Sequence, residues 1–208
     1  MPKSNKSVIM FLTLCLFITA CIGLPTSLSN SVTNSVDFDG VLTVSYPSNW
    51  FAQTEDEYIL LSPDSDYLTQ IDLSQLANER MSNGSEDVPS NLLIVNVLAI
   101  DNQTIENSDY NDTGEASINL VMTLIIDIFS DSEVFTASPP EELQLDERIG
   151  AFFTLNDNLR RVEIIMMALP TDDGVIILVG ATAKGKLERN REVFQNILAS
   201  AEYDLPSQ

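Results

Sequence analysis

The first twenty-one residues, Met1 to Cys21, decide which part of this chain is available to fold. Lys3 and Lys6 precede thirteen mostly apolar residues, Val8 to Ala20. A positive start, a short apolar middle and a small residue before the cut are typical of a secretory signal. The apolar run is too short for a permanent transmembrane helix, which needs about 20 apolar residues. We therefore expect residues 1–20 to be removed and the fold to be built from the remainder of the chain.

The last four residues of this leader, Ile18-Thr19-Ala20-Cys21, resemble a bacterial lipobox. The resemblance implies that the Cys21 thiol receives a diacylglyceryl group and that the new amino terminus is acylated. Two alternatives stay open, an ordinary secretory cleavage after Ala20 and an uncleaved anchor. Ile18 is larger than the side chain that ordinary cleavage prefers at that place, and the apolar run is short for an anchor.

Lipidation at Cys21 would fix the location of the protein. More than one acyl chain is needed for stable anchoring, and a processed lipoprotein carries more than one. We expect an exported protein attached to the outer face of the cytoplasmic membrane or to the outer membrane. Ile22 is not the aspartate that retains some lipoproteins at the inner membrane.

The mature chain also has to fold without a disulfide. Cys15 leaves with the leader and Cys21 is lipidated, so no cysteine pair remains. Removing 20 of 208 residues leaves 188, which usually means one domain, and the loss of two lysines moves the formal charge from −21 to −23. Such a surface repels nucleic acid and anionic lipid headgroups, which argues against both as partners. Solubility, a salty habitat or binding of multivalent cations would each account for it.

The region after the leader divides into a tether and a single domain. Residues 22–37 are rich in Ser, Thr and Asn without apolar periodicity, so residues 21–37 are predicted to be a lipidated cysteine and a flexible tether. A coil of that length spans about 20–25 Å. Residues 38–208 are predicted to form the domain.

The domain reads as an antiparallel sheet with helices, which is the α+β class. Its predicted strands are bounded by turn residues, and Asp173-Gly174 is a strong signal for a two-residue hairpin. A buried helix is predicted to begin at Asp112, and a closing helix places five apolar residues on one face. The predicted strands lie at 40–46, 51–53, 58–62, 91–100, 134–137, one or two within 143–155, 159–169 and 175–183, and the closing face consists of Val193, Phe194, Ile197, Leu198 and Ala201.

Four features together resemble the PsbP-like family over about residues 38–204. They are Tyr46-Pro47-Ser48-Asn49-Trp50 after the opening strand, the buried helix in mid-chain, the long hairpin from Ala151 to Ala183, and the closing stretch from Phe194 to Ser200. The resemblance implies a central antiparallel sheet between helices, an α/β/α sandwich. It also implies a protein that binds or assembles other proteins, and it supplies no catalytic residue.

The absence of histidine from the sequence removes the usual general base, the common nucleophile arrangements and the commonest zinc ligand. Catalysis by carboxylates alone remains formally possible, but no paired site is evident. We expect a protein that is not an enzyme and carries no cofactor.

A calcium loop is suggested by the stretch from Asp109 to Gly114, with oxygen ligands at its first, third and fifth positions. Its twelfth position is Leu120, where a calcium loop needs a bidentate glutamate. No metal site is therefore predicted, and a loosely held ion would fall to four weak candidates, Asp101, Glu106, Asp109 and Asp112.

Basic residues are concentrated near the end of the chain. Only eight remain after Cys21, and six of them lie between residues 160 and 191. Pairing of the last two long strands would gather them into a patch for an acidic partner or for an anion near the amino end of the closing helix. The simpler interpretation is solvated charges paired with Glu163, Glu188 and Glu192. The patch candidates are Arg160, Arg161, Lys184, Lys186 and Arg189.

These observations predict a lipid-anchored envelope protein that acts as a non-catalytic protein-binding or complex-assembly module. The alternative is a lipoprotein that binds a small ligand or a cation such as calcium. The expected partners are the membrane, through Cys21, and an unidentified envelope protein, with no nucleic acid.

Overall fold

A computed structural model describes residues 32–55, 57–69, 90–106, 135–157 and 162–205. Four groups of predictions lie outside these ranges: the leader with Cys21, the helix predicted from Asp112, the metal candidates Asp109 and Asp112, and the patch candidates Arg160 and Arg161.

The described residues form strands and three helices, named in chain order. The strands are β1 (Val32–Phe38), β2 (Leu42–Pro47), β3 (Phe51–Thr54), β4 (Ile59–Ser62), β5 (Leu93–Asp101), β6 (Phe135–Ala137), β7 (Glu141–Leu145), β8 (Arg148–Asp157), β9 (Val162–Pro170), β10 (Gly174–Ala183) and β11 (Glu202–Tyr203). The helices are α1 (Ser65–Thr69), α2 (Asn102–Glu106) and α3 (Leu187–Ala199).

Two antiparallel sheets contain these strands. The main sheet has eight strands in the order β3-β4-β5-β10-β9-β8-β6, with β7 also paired to β8. The small sheet has the order β1-β2-β11. Long strands that follow each other in the chain, β8, β9 and β10, are direct neighbours, so the predicted meander is confirmed.

The main sheet is covered on both faces, and β10 shows this directly because all ten of its residues are buried. Ile176 and Leu178 face a core shared with α3 and the small sheet, which we call the helix face. Val175, Ile177 and Val179 face a second core that includes Tyr67 and Leu68 of α1 and Ile105 of α2. The prediction of an antiparallel sheet with helices is confirmed at this level. The small sheet, which the sandwich prediction lacked, shares the helix face with α3.

The predicted tether is wrong over residues 32–37, because these residues belong to β1. Asp39 and Gly40 both have positive φ, 54° and 69°, and the Val41 amide donates to the Phe38 carbonyl at 3.0 Å. Asp-Gly with positive φ at both residues is a favoured hairpin turn. Because the prediction treated this polar stretch as coil, it overlooked the turn and the strand that precedes it.

The β9–β10 hairpin is confirmed, but its turn lies one residue earlier than predicted. The Thr171 amide donates to the Gly174 carbonyl at 2.8 Å, which makes Asp172 and Asp173 the turn residues. Gly174 lies opposite Asp101 in the sheet, and a Cβ there would overlap the Ile100 carbonyl oxygen. The glycine is therefore required by the close approach of β5, and not by a positive φ.

The closing helix is confirmed as α3. All five residues of its predicted apolar face are fully buried, at 0% exposure. The Phe194 ring lies over Gly180, where an added Cβ would be 2.9 Å from the ring. Gly180 thus lets the helix approach the centre of β10 closely. No helix within the described ranges is long and apolar enough to span a bilayer.

Candidate functional site

The two ends of the main sheet carry opposite kinds of charge. We call the end where β10 stops and α3 begins the cationic end, after Lys184, Lys186 and Arg189. We call the opposite end, where β5 stops and β10 begins, the acidic end. The antiparallel registers of β5, β9 and β10 place Thr182, Leu93 and Glu163 toward the first end, and Gly174 and Asp101 at the second.

The cationic end is built on a tight turn. Gly185 has a φ of 78°, and the Lys186 amide donates to the Ala183 carbonyl at 3.1 Å. This geometry presents Lys184 and Lys186 on either side of the glycine, and Arg189 follows in the first turn of α3. All three side chains are exposed, and within the described residues none of them has an ion pair or hydrogen bond.

Two of the carboxylates expected to neutralise these cations are engaged elsewhere. A Glu163 carboxylate oxygen accepts the Leu187 amide at 3.0 Å, and Glu188 forms an ion pair with Arg191 at 2.9 Å. Arg191 also lies 4.9 Å from the centre of the Phe152 ring. The simple interpretation of paired charges therefore holds for Arg191 alone among these four cations.

Glu163 also affects the predicted anion site at the amino end of α3. The first backbone amides of a helix attract negative charge, and here a carboxylate of the protein itself receives one of them. An external anion at this place would have to compete with Glu163. We therefore take the exposed lysines and arginine, and not the helix terminus, as the candidate surface.

At the acidic end, Asp101 performs a structural task. One oxygen of its carboxylate accepts the Thr104 amide at 2.7 Å, and the other accepts the Thr104 hydroxyl at 2.7 Å, so Asp101 caps α2. Partial burial raises the pKa of Asp101, but the hydrogen bonds from the Thr104 hydroxyl and backbone outweigh it, and the pKa lies below its ordinary value.

The weak metal prediction gains no support from the described candidates. Glu106 lies at the end of α2, five residues after Asp101. In the part of the chain that the structure describes, no group of three or more acidic, histidine or cysteine side chains is arranged to hold a metal ion.

The other acidic side chains at this end come from four separate segments. An Asp173 carboxylate oxygen accepts the Leu205 amide at 2.8 Å and thereby holds the carboxyl-terminal segment. Burial raises the pKa of Tyr203, and the negative charges of Asp101 and Asp173 raise it further. The carboxylates gathered here are Asp37, Asp39, Asp101, Glu106, Asp146, Glu147, Asp172, Asp173, Glu202 and Asp204.

Arg148 is the cation at the acidic end among the described residues. Its guanidinium donates to the carbonyls of Ala199 and Ala201, at the carboxyl end of α3. The sequence analysis missed the roles of Arg148 and Glu163, because each acts on a helix terminus 24 or more residues away. No local pattern signals such a contact, and only the placement of β8 and β9 beside α3 creates it.

A cleft of about 310 Å³ opens on the side of the domain that bears the β1–β2 turn. Asp37, Phe38, Asp39, Thr54 and Glu55 line it. The Asp37 carboxylate is already bonded there, since it accepts the Gly40 amide at 2.8 Å and the Thr43 hydroxyl at 3.1 Å. The cleft is polar and negative, and the sequence analysis did not identify it because β1 was assigned to the tether.

The start of β1 lies toward the cationic end of the main sheet. Val32 of β1 pairs with Pro47 at the end of β2, and the Pro47 carbonyl accepts the Trp50 amide at 2.9 Å. The next residue after Trp50, Phe51, begins β3 and pairs with Ser62 of β4. The Ser62 hydroxyl in turn donates to the carbonyl of Leu93, which lies opposite Thr182 near the Lys184 turn. The chain therefore enters the described domain at the end that carries the unpaired cations.

Comparisons with known proteins give likenesses of backbone fold alone. No family model and no curated protein matches the chain. The structure is similar to the solution structure of cyanobacterial PsbP (CyanoP) from Synechocystis sp. PCC 6803, with 12% identity, a TM-score of 0.45, and 90% of this chain and 99% of that chain covered. It is also similar to PA94 from Pseudomonas aeruginosa, a protein of unknown function, with 6% identity, a TM-score of 0.38, and coverage of 85% and 100%. These likenesses carry no argument about what this protein binds or does.

Proposed function

We propose that this protein is an exported, lipid-anchored envelope protein that binds another protein, or helps a membrane complex assemble, without catalysing a reaction. The leader that ends at Cys21 supports the anchor. The lack of histidine supports a non-catalytic role, as does the use of Asp101 and Glu163 to hold helix ends.

The observation that carries the binding role is the outer edge of β1. This seven-residue strand pairs with β2 on one side, and no other strand in the described ranges pairs with it. Edge strands are usually protected by charged side chains, proline or a bulge. The β1 sequence VTNSVDF has neither lysine nor proline, and its pairing with β2 is irregular only between Val32 and Asn34. From Asn34 to Phe38 the register is regular, and Asn34, Ser35 and Asp37 are exposed there. Such an edge can accept an extended segment of a partner by strand addition.

Cross-linking in membranes tests this proposal. A photoreactive residue placed at Ser35 should capture a specific protein, whereas one placed at exposed Gln144 on β7 of the main sheet should capture less of it. Thr33→Lys, which puts a charge on the edge, should reduce capture at Ser35, and Gln144→Lys serves as the matched control. Equal labelling from both positions, or capture that ignores Thr33→Lys, would contradict binding at this edge.

The anchor is tested separately by mass spectrometry of the membrane-bound protein. We expect a mature chain that begins at Cys21 with acyl groups on it. Cys21→Ser should abolish the acyl mass and release the protein from membranes. A bare thiol, or a chain that still carries residues 1–20, would contradict the anchor without bearing on the β1 edge.

The negative cleft favours the second candidate function, binding of a small cationic ligand. A cation such as calcium would have to keep its hydration shell there, because no three acidic side chains of the described residues are arranged to hold a metal ion directly. Asp37, Asp39 and Glu55 line it, and opposite charge is the simplest requirement for such a ligand. Millimolar calcium should then raise the melting temperature, and Asp39→Asn should remove the rise. A melting temperature that calcium leaves unchanged in both proteins would contradict the cation form of this proposal.

A further inference from the structure

We propose that the cationic end of the domain rests against anionic lipid headgroups, with the acidic end directed away from the bilayer. This inference depends on the proposed lipid anchor at Cys21. It identifies a second interaction surface, separate from the β1 edge, and its ligand is the phosphate of a membrane lipid.

The path of the chain supplies the first argument. Val32 lies toward the cationic end, and residues 21–31 separate it from the lipidated cysteine. Eleven residues reach at most about 38 Å when fully extended, and a flexible coil of this length spans about 18 Å. A ten-residue strand such as β10 is about 33 Å long, so an anchor on this connection favours orientations in which the Val32 end of the domain is nearest the bilayer.

The distribution of charge supplies the second argument, and it is independent of the first. Lys184, Lys186 and Arg189 are exposed without ion pairs in the described ranges. Among the residues that the structure describes, ten carboxylates lie at the acidic end, where the guanidinium of Arg148 is bonded to backbone carbonyls. The described residues therefore have a large charge asymmetry along the strand direction. An anionic surface attracts its cationic end and repels the acidic end.

The net negative charge of the protein does not oppose this orientation at short range. Charges farther from the surface than about 8 Å are largely screened at physiological salt, so only the end that touches the headgroups contributes strongly. At that end Glu188 is paired with Arg191, whereas Glu163 keeps its negative charge although it accepts the Leu187 amide, and exposed Glu192 of α3 adds another. The three cations Lys184, Lys186 and Arg189 outnumber these two carboxylates on the α3 side of the sheet. Asp64 and Asp66 of the α1 segment also lie toward this end, but they belong to the side of the sheet opposite α3.

The experiment is done with the mature lipoprotein reconstituted in vesicles. Because the mature chain has no cysteine besides the lipidated Cys21, a single introduced cysteine can be labelled selectively. A fluorophore is attached to Asn49→Cys, toward the cationic end, or to Gln103→Cys, at the acidic end, and both positions are exposed. The vesicles contain phosphatidylglycerol or only phosphatidylcholine, with a nitroxide quencher on a fraction of the headgroups. In phosphatidylglycerol we expect the Asn49 label to be quenched at least about twofold more than the Gln103 label.

Two triple variants separate local charge from total charge. Lys184→Gln/Lys186→Gln/Arg189→Gln should reduce the difference between the two labels in phosphatidylglycerol to its value in phosphatidylcholine. Glu141→Gln/Glu142→Gln/Glu147→Gln changes three exposed charges elsewhere and should leave the difference intact. Salt of about 1 M should act like the first variant, because it shortens the screening length to about 3 Å.

Each outcome bears on the proposal. Protein that does not float with either kind of vesicle would overturn the anchor and this inference together. If the protein floats, but the difference in quenching between the Asn49 and Gln103 labels is the same in the cationic variant or in uncharged vesicles, this inference alone is overturned. If the cationic variant leaves the label difference unchanged but abolishes the cross-linked partner, the cationic end binds an acidic protein instead of lipid.

Discussion

Single ionic side chains at strand ends hold the ends of the helices in this protein. Asp101 caps the amino end of α2, Glu163 receives an amide at the amino end of α3, and Arg148 donates to carbonyls at its carboxyl end. Each satisfies backbone groups that a helix leaves without an internal partner. The signs are favourable as well, because negative charge is stabilising at the amino end of a helix and positive charge at its carboxyl end.

The cap at Asp101 predicts a dependence of stability on pH. Its pKa in the folded protein lies below the ordinary value of 3.8, so the folded state favours the ionised carboxylate. The resulting stability is fully present above the ordinary pKa and is lost as pH falls through the lowered pKa in the folded state. Urea unfolding measured from about pH 5 to about pH 2 should show this loss, and Asp101→Asn should have a shallower slope over that interval. Identical slopes for the two proteins would contradict the role of Asp101.

Gly180 predicts a second effect at the scale of one residue. An alanine Cβ there would lie 2.9 Å from the ring of Phe194, which is fully buried against β10. Gly180→Ala should lower the free energy of unfolding by about 1–3 kcal/mol, as overpacking of a core does. In urea unfolding, the double variant Gly180→Ala/Phe194→Leu should lose less than the sum of the two single losses. Strictly additive losses would show that the ring and the glycine are not coupled.

At the scale of the element, α3 joins the two sheets. Its apolar face packs on the main sheet, and the Ser200 hydroxyl just after it accepts the Ser45 amide of β2 at 3.0 Å. The chain then continues directly into β11, which pairs with β2. Because the helix, the small sheet and the edge of β8 meet at this terminus, a change there should affect both sheets together.

Arg148 provides the test at this scale. Its guanidinium can donate to two carbonyls at once, which the ammonium of lysine does less well. Arg148→Met should lower the free energy of unfolding by about 1–3 kcal/mol through the lost charged hydrogen bonds, while retaining much of the apolar volume. Arg148→Lys should lose less than Arg148→Met, since it retains the charge beside the helix end. Equal stability of all three proteins in urea would contradict the contact with Ala199 and Ala201.

At the scale of the whole molecule, repulsion among many negative charges opposes folding, and the apolar core stabilises the fold without help from a disulfide. The sequence has 31 acidic and 10 basic residues. Acidic groups gathered at one end repel each other in the folded protein, and this repulsion weakens as salt screens it. We therefore expect this repulsion to lower the stability of the fold at low salt.

This balance predicts a dependence on ionic strength. Raising sodium chloride from about 0.05 M to about 0.5 M should raise the melting temperature by a few degrees, because the screening length falls from above 10 Å to below 8 Å. Calorimetry measures the shift. Glu141→Gln/Glu142→Gln/Glu147→Gln, which removes three negative charges, should show a smaller rise. A melting temperature that salt lowers would mean that attractive ion pairs outweigh the repulsion.

Much of the fold could be predicted from local patterns. Alternation indicated β2, apolar runs bounded by turn residues indicated β4, β5, β8, β9 and β10, and the spacing of the apolar residues from Val193 to Ala201 indicated α3. These elements form because their apolar side chains are buried away from water, and the spacing of apolar residues along the sequence shows which side chains those are. The β1 strand was missed because it has only three apolar residues, Val32, Val36 and Phe38. The prediction also did not treat Asp39-Gly40 as a hairpin turn.

The sequence by itself determined most of the strand and helix pattern, the acidic balance, the lack of histidine and the lipobox-like stretch from Ile18 to Cys21. Only the tertiary structure decided which charges act together. In the sequence Asp101 was a weak metal candidate and Glu163 an expected partner of the basic residues, yet each is bonded to a helix. Lys184, Lys186 and Arg189 remain exposed at the end where the chain enters the described domain. The physical reason is distance along the chain: a local pattern records which residues prefer burial, but the partner of a polar group is set by the register of strands that lie far apart in sequence.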